Sequence, residues 1–139
     1  MNNIEKNKLI CEFMDIKPKL ESPDVYSYSD TPFISCRGNI NQVTNAIYNY
    51  VKYDTDWNWL MSVVIKIQLL DIVHDNTRDY DKVFKEWKCT FSPSYTTHDF
   101  GYIVGKSKNS EMEAVYNACI EFIKWYLYSN KSNNDTTKL

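Results

Sequence analysis

Glycine is scarce in this chain: Gly38, Gly101 and Gly105 are the only three among 139 residues. A P-loop or a dinucleotide-binding fingerprint needs several glycines inside one short turn, so neither fits. Arginine is scarcer still, with Arg37 and Arg78 alone. Phosphate-binding surfaces favour the bidentate guanidinium fork, which weighs against a dedicated nucleic-acid face. Neither sign of charge dominates, because 16 basic side chains oppose 18 acidic ones for a net charge of −2. No long-range field therefore draws the chain to nucleic acid or to an anionic membrane. No stretch approaches the ~20 apolar residues of a membrane helix, and the polar opening over Met1–Lys8 does not fit a signal peptide. The expectation is a soluble intracellular protein with no membrane partner.

Catalytic and metal-binding motifs are missing as well. His74 and His98 are the only histidines, and Cys11, Cys36, Cys89 and Cys119 form no Cys-x-x-Cys pair. A zinc site would require both histidines to converge with Cys36 or Cys89 at no recognisable ligand spacing. A Cys89–His98 hydrolase is the one imaginable enzyme, and neither G-x-S-x-G nor H-E-x-x-H occurs. Four reduced thiols, at least two of them buried, are the simpler reading. Asp54 and Asp56 flank a helix start and read as caps. The acidic run Asp71, Asp75, Asp79 and Asp81 lacks the Gly and terminal Glu of a calcium loop and reads as a solvated loop. No catalytic residue, cofactor or metal is expected.

What is present is periodicity. Leu9, Ile10, Phe13 and Met14 mark a helix from about Ile4 to Asp15, stopped by Pro18. Short strands are expected over 25–29 and 33–37, joined by the turn-rich Ser29-Asp30-Thr31-Pro32. Val43, Ala46, Ile47, Tyr50 and Val51 predict a helix over about 41–53. Trp57, Leu60, Met61, Val64 and Ile67 predict another that starts behind Asp56. Residues 71–74 read as a short strand and 75–81 as an acidic turn. The alternation of Val83, Trp87, Cys89 and Phe91 predicts a strand with one buried face, although Lys85 interrupts it. Residues 93–99 read as a loop, and Phe100, Tyr102 and Val104 predict a strand ended by Gly105.

The last helix is the clearest. Ser110 and Glu113 stand at capping-box spacing, and Val115, Ala118, Cys119, Phe122, Ile123 and Tyr126 follow on one stripe. Together these elements predict an α+β fold, an antiparallel sheet of about four to five strands packed against three to four helices in two layers. A single domain is expected over 1–128, with a disordered polar tail over 129–139.

Aromatic residues are the positive anomaly, at 15% of the chain. Trp57, Trp87, Phe122 and Tyr126 lie on core stripes. Trp59, Tyr48, Tyr53, Tyr80, Tyr95 and Tyr128 flank stripes or fall in loops. Tyrosine supplies rigid contact area and one hydrogen bond, as binding surfaces require. Tyr80, Lys82, Lys85, Lys88 and Tyr95 are the candidate partner-binding residues. Base stacking on Tyr80, Trp87 and Tyr95 with lysines on the phosphates is the alternative. Asp79, Asp81 and Glu86 nearly cancel those lysines and rank it second.

Three segments carry a family likeness: Lys8-Leu9-Ile10-Cys11-Glu12-Phe13-Met14, then Trp57-Asn58-Trp59-Leu60-Met61 with its flanks, then Ala114-Val115-Tyr116 through Phe122-Ile123-Lys124-Trp125-Tyr126. Over about half its length the chain resembles a family of small accessory proteins from phages and prophages of Bacteroidetes. The Lys-, Asn-, Ile- and Tyr-rich composition agrees with an AT-rich source. The resemblance implies a helix–sheet layered fold, a bacterial host cytoplasm, and no catalytic motif. It also implies a partner that is a host protein or ribonucleoprotein. An anti-CRISPR inhibitor of the type VI-B effector nuclease with its guide RNA is the specific candidate. The longer segment 71–94 departs from the family, so an added function is sought there.

Overall fold

In the computed structural model, which describes residues 1–16, 19–22, 25–28, 34–37, 48, 50–94 and 101–137, three helices and six strands are described. The chain divides into two compact units, Met1–Val63 and Val64–Leu139.

The first unit opens with α1, Asn3–Phe13. Its N-terminus carries a complete capping box: Asn2 Oδ1 accepts from the Glu5 amide at 2.8 Å, and the Asn2 amide donates to Glu5 Oε2 at 3.3 Å. Two of the helix's orphan donors are thereby satisfied. The other end closes earlier than the apolar pattern predicts. Asp15 adopts a left-handed φ of 56°, the Ile16 amide reaches Cys11 O at 3.0 Å, and the Asp15 amide reaches Glu12 O at 3.2 Å. This is a Schellman closure with aspartate where glycine is usual, and it ends the helix before Pro18 can. Asn7, Ile10, Cys11 and Phe13 are its buried residues.

Strands β1 (Lys19–Ser22), β2 (Val25–Tyr28) and β3 (Ile34–Arg37) follow as an antiparallel meander. The two predicted strands on either side of Ser29–Pro32 are β2 and β3. β1, with Leu20 as its only apolar residue, gave no periodic signal. The helix predicted over 41–53 falls mostly outside the described residues.

Helix α2, Trp57–Gln68, begins as expected, with Asp56 Oδ1 accepting from the Asn58 amide at 2.8 Å. Its buried residues are Trp59, Leu60, Val63, Val64 and Ile67, so the inward stripe is rotated from the predicted Trp57 and Met61. Trp59 meets the ring of Tyr53 edge-on, with centroids 5.3 Å apart at 87°. An edge-to-face pair aligns the positive ring rim with the negative face. Two aromatics expected at the surface are thus core residues of the first unit.

In the second unit β4 (Val73–Asp81), β5 (Glu86–Pro93) and β6 (Ile103–Ser107) form an antiparallel sheet in the order β4-β5-β6. Helix α3, Glu111–Thr137, packs on β5 and β6. Cys89 and Phe91 of β5 are fully buried, and Phe91 meets Phe122 of α3 at 5.7 Å. Gly105 lies inside β6 rather than ending it. A Cβ there would collide with the backbone of Ala118 and with the Ala114 carbonyl, so glycine is what lets strand and helix touch. Ser110 caps α3 by accepting from the Glu113 amide at 3.1 Å. Only half of the expected capping box forms, because the Glu113 carboxylate turns to Asn109 Nδ2 instead. The helical backbone carries on through the polar segment to Thr137.

The predicted sheet of four to five strands is corrected. Among the described residues the second unit holds a small open sheet of three strands, the first unit a separate sheet of three, and the helices number three. The outer strand β4 explains why its sheet stops. His74, Asp75, Arg78 and Asp79 are exposed along it, and charges on both faces of an edge discourage further pairing. The same charges caused 75–81 to be read as a turn. Cross-strand pairing with β5 outweighs that poor intrinsic β-propensity.

Candidate partner-binding site

The register between β4 and β5 assigns each side chain to a face. Asn76, Arg78 and Tyr80 pair with Phe91, Cys89 and Trp87, so all six share the side that α3 covers. Asp79 and Asp81 pair with Lys88 and Glu86 on the opposite side. Tyr80 and Trp87 close the α3 side with rings 5.0 Å apart. Arg78 forms a 3.6 Å ion pair with Glu111 at the start of α3, an exposed contact of little energetic weight. β6 pairs only with residues Trp87–Phe91 of β5. The β4–β5 hairpin therefore runs on past the end of β6.

Its tip is Lys82-Val83-Phe84-Lys85, built by one carboxylate. Asp81 Oδ1 accepts from the Val83 amide at 2.9 Å and from the Phe84 amide at 3.1 Å. Asp81 Oδ2 meets Lys88 Nζ at 3.2 Å. The hydrogen bond from Phe84, with further help from Lys88 and Val83, holds the Asp81 carboxyl below the usual carboxylate range. Lys85 takes a left-handed φ of 53° to bring the chain into β5. Four-residue hairpin loops built on a tight turn commonly end in such a residue. The consequence is an unusual display: Val83 is 83% exposed and Phe84 64% exposed.

The five sequence candidates do not share one surface. Lys82 and Lys85 flank the tip and are exposed. Tyr80 stands below it on the α3 side, 45% exposed. Lys88 is on the opposite face and engaged by Asp81. Tyr95 lies outside the described residues. Val83 and Phe84 were missed: Val83 had been placed on a buried strand face. The interrupting Lys85 was the available signal, because it breaks the alternation where the chain turns.

Cys89 is fully buried and accepts a 3.2 Å hydrogen bond from Asn76 Nδ2. Burial pushes its thiol pKa up and outweighs the lowering by Asn76 and Arg78, so the nucleophilic thiolate is disfavoured. His98 lies outside the described residues. Among the described residues no three His, Cys, Asp or Glu side chains gather as a metal site.

A second concavity, about 410 Å³, lies in the first unit between Asn3, Ile4, Tyr48, Tyr50, Lys52 and Asp54. Its polar groups are partly spent on one another, since Asn3 Nδ2 donates to Asp54 Oδ2 at 3.0 Å. Ligand sites aim several free polar groups at one point, and this rim does not. No described helix is long and apolar enough to cross a membrane. Comparison with protein families, with curated proteins and with solved structures gives no match.

Proposed function

We propose that the protein acts by binding a host protein or ribonucleoprotein through the β4–β5 hairpin, as an inhibitor of a host defence nuclease. The observation that supports this reading is the tip itself: two adjacent apolar side chains held out in water by a hydrogen-bonded turn. Single exposed apolar residues are ordinary, but a fixed pair at a hairpin apex is a contact surface in waiting. Tyr80, Lys82 and Lys85 surround it and supply the polar rim that interfaces use. The resemblance to phage and prophage accessory proteins directs the choice of partner toward an RNA-guided effector nuclease.

Inhibition of target-RNA cleavage by a purified type VI-B effector tests the reading, with binding to the guide-loaded nuclease measured in parallel. Dose-dependent loss of cleavage with a saturable complex supports it. Absence of both, together with no host protein retained by the full chain, would refute it. Nucleic-acid binding is the competing reading. It predicts a mobility shift whose affinity falls steeply with salt, as released counterions demand.

A further inference from the structure

We propose that Phe84, with Val83 beside it, is a plug that enters an apolar pocket on a protein partner, and that acidic side chains line the rim of that pocket and meet Lys82 and Lys85. The inference rests on the binding reading above and names the chemistry of the partner.

Charge complementarity fixes the rim. Lys82 and Lys85 bracket the two apolar residues and have no ion-pair partner among the described residues, whereas the third lysine of the hairpin, Lys88, is committed to Asp81. The only fixed charges the apex presents beyond the turn are therefore these two cations. The backbone at Lys85 points the same way. A left-handed φ of 53° is the position where glycine is cheapest, yet a lysine stands there. A charged side chain retained against that local preference is a side chain the surface uses.

Three kinds of occupant compete, and the observations favour protein. A nucleic-acid strand would stack bases on Phe84 but gains nothing from Val83, which has no π-face, while Asp79, Asp81 and Glu86 repel its phosphates. An anionic membrane would accept the apolar pair. Two lysines and two modest apolar side chains provide less attraction than stable peripheral anchoring needs. A protein pocket rewards one buried aromatic anchor with a charged rim, the usual shape of a binding hot spot.

The test uses the full chain carrying a photoreactive phenylalanine analogue at position 84 or, as control, at exposed position 102. Irradiation in host cells, mapping of the cross-linked residues and purification of the partner come first. Support requires that the analogue at 84 cross-links to an apolar cleft flanked by Asp or Glu. Phe84→Ala should then weaken binding to the purified partner at least ten-fold. Lys82→Glu with Lys85→Glu should weaken it by a similar factor that shrinks at high salt. Lys85→Gly should bind more weakly while its urea midpoint holds or rises, which separates the rim from the fold. An adduct from 102 with none from 84, or unchanged affinity of Phe84→Ala, overturns the plug and leaves the binding function standing. An RNA adduct at 84, or co-sedimentation with phosphatidylserine vesicles that Phe84→Ala abolishes, overturns the plug in favour of those ligands. No protein adduct from either position overturns both.

Discussion

Replacing Gly105 with alanine places a Cβ 2.7 Å from the Ala118 Cα, and nearer still to the Ala118 amide nitrogen and the Ala114 carbonyl oxygen. All three obstacles are helix backbone, so no side-chain rotation relieves them. Ordinary contact begins near 3.4 Å, so α3 must retreat from β6 by at least roughly 0.7 Å. A gap of that size forfeits about a quarter to a half of each contact's ~0.1–0.2 kcal/mol across the face. Several dozen atom pairs around Cys89, Phe91, Val115, Cys119 and Phe122 then lose about 2–3 kcal/mol together, the upper part of the range for overpacked cores. Total stabilities are about 5–15 kcal/mol, so the loss is large. Urea unfolding followed by tryptophan fluorescence reads it as a lower midpoint with an unchanged slope. Gly101→Ala is the control. Its Cβ meets nothing within 4 Å, and the variant should match the parent or gain up to ~1 kcal/mol from a stiffer unfolded chain. If Gly105→Ala unfolds within ~0.5 kcal/mol of the parent, the additive scatter of surface changes, the close strand–helix approach is refuted.

The remaining expectations concern single groups. Tyr53→Phe should raise stability by about 1 kcal/mol in the same assay, because the buried hydroxyl has no hydrogen-bond partner among the described residues and removing it ends a desolvation cost; destabilisation beyond 1 kcal/mol would show a hidden partner. Cys11, Cys89 and Cys119 should resist iodoacetamide at pH 7 in the folded protein and react on unfolding, since all three are buried and burial holds the Cys11 pKa at about 12; fast native alkylation of Cys89 in peptide mapping would contradict this. Asp81 has a folded pKa below its unfolded one, so its contribution is present above the ordinary carboxylate range and is lost as pH falls through the lowered value. The Val83 and Phe84 amide resonances should therefore titrate with a midpoint below that of an ordinary aspartate, and a midpoint above it would refute the turn.

Helices were legible and their neighbours less so. α3 was readable because its apolar stripe is long and Ser110 stands where a cap belongs; α2 was readable for the same reason at Asp56. The rotation of the α2 stripe was not, because Trp57 and Trp59 are equally apolar and only tertiary packing decides which is enclosed. β4 was hidden by its composition: a strand rich in Asp and Arg has no apolar alternation, and its pairing partner is what makes it a strand. The size of the sheet depended on that same edge, whose charges halt pairing, and charges in a sequence do not say which strand is outermost. At the site, the lysines of the hairpin were found by composition, whereas Val83 and Phe84 were hidden by resembling core residues.

Stability and recognition are separable in the hairpin because of where β6 stops. From Trp87 to Phe91, β5 is paired on both sides and faces α3 through Cys89 and Phe91. From Asp81 to Glu86 the chain has only its own turn to hold it, and that turn depends on Asp81, with the Tyr80–Trp87 ring pair beneath. Exposed Val83 and Phe84 bury almost nothing in the free protein, so truncating Phe84 should change folding stability by less than ~0.5 kcal/mol. Asp81→Ala should instead loosen the tip while leaving the α3-facing core intact. A stability loss of 2 kcal/mol or more for Phe84→Ala would mean that this ring belongs to the core of the unit, and the separation between scaffold and contact surface would then fail.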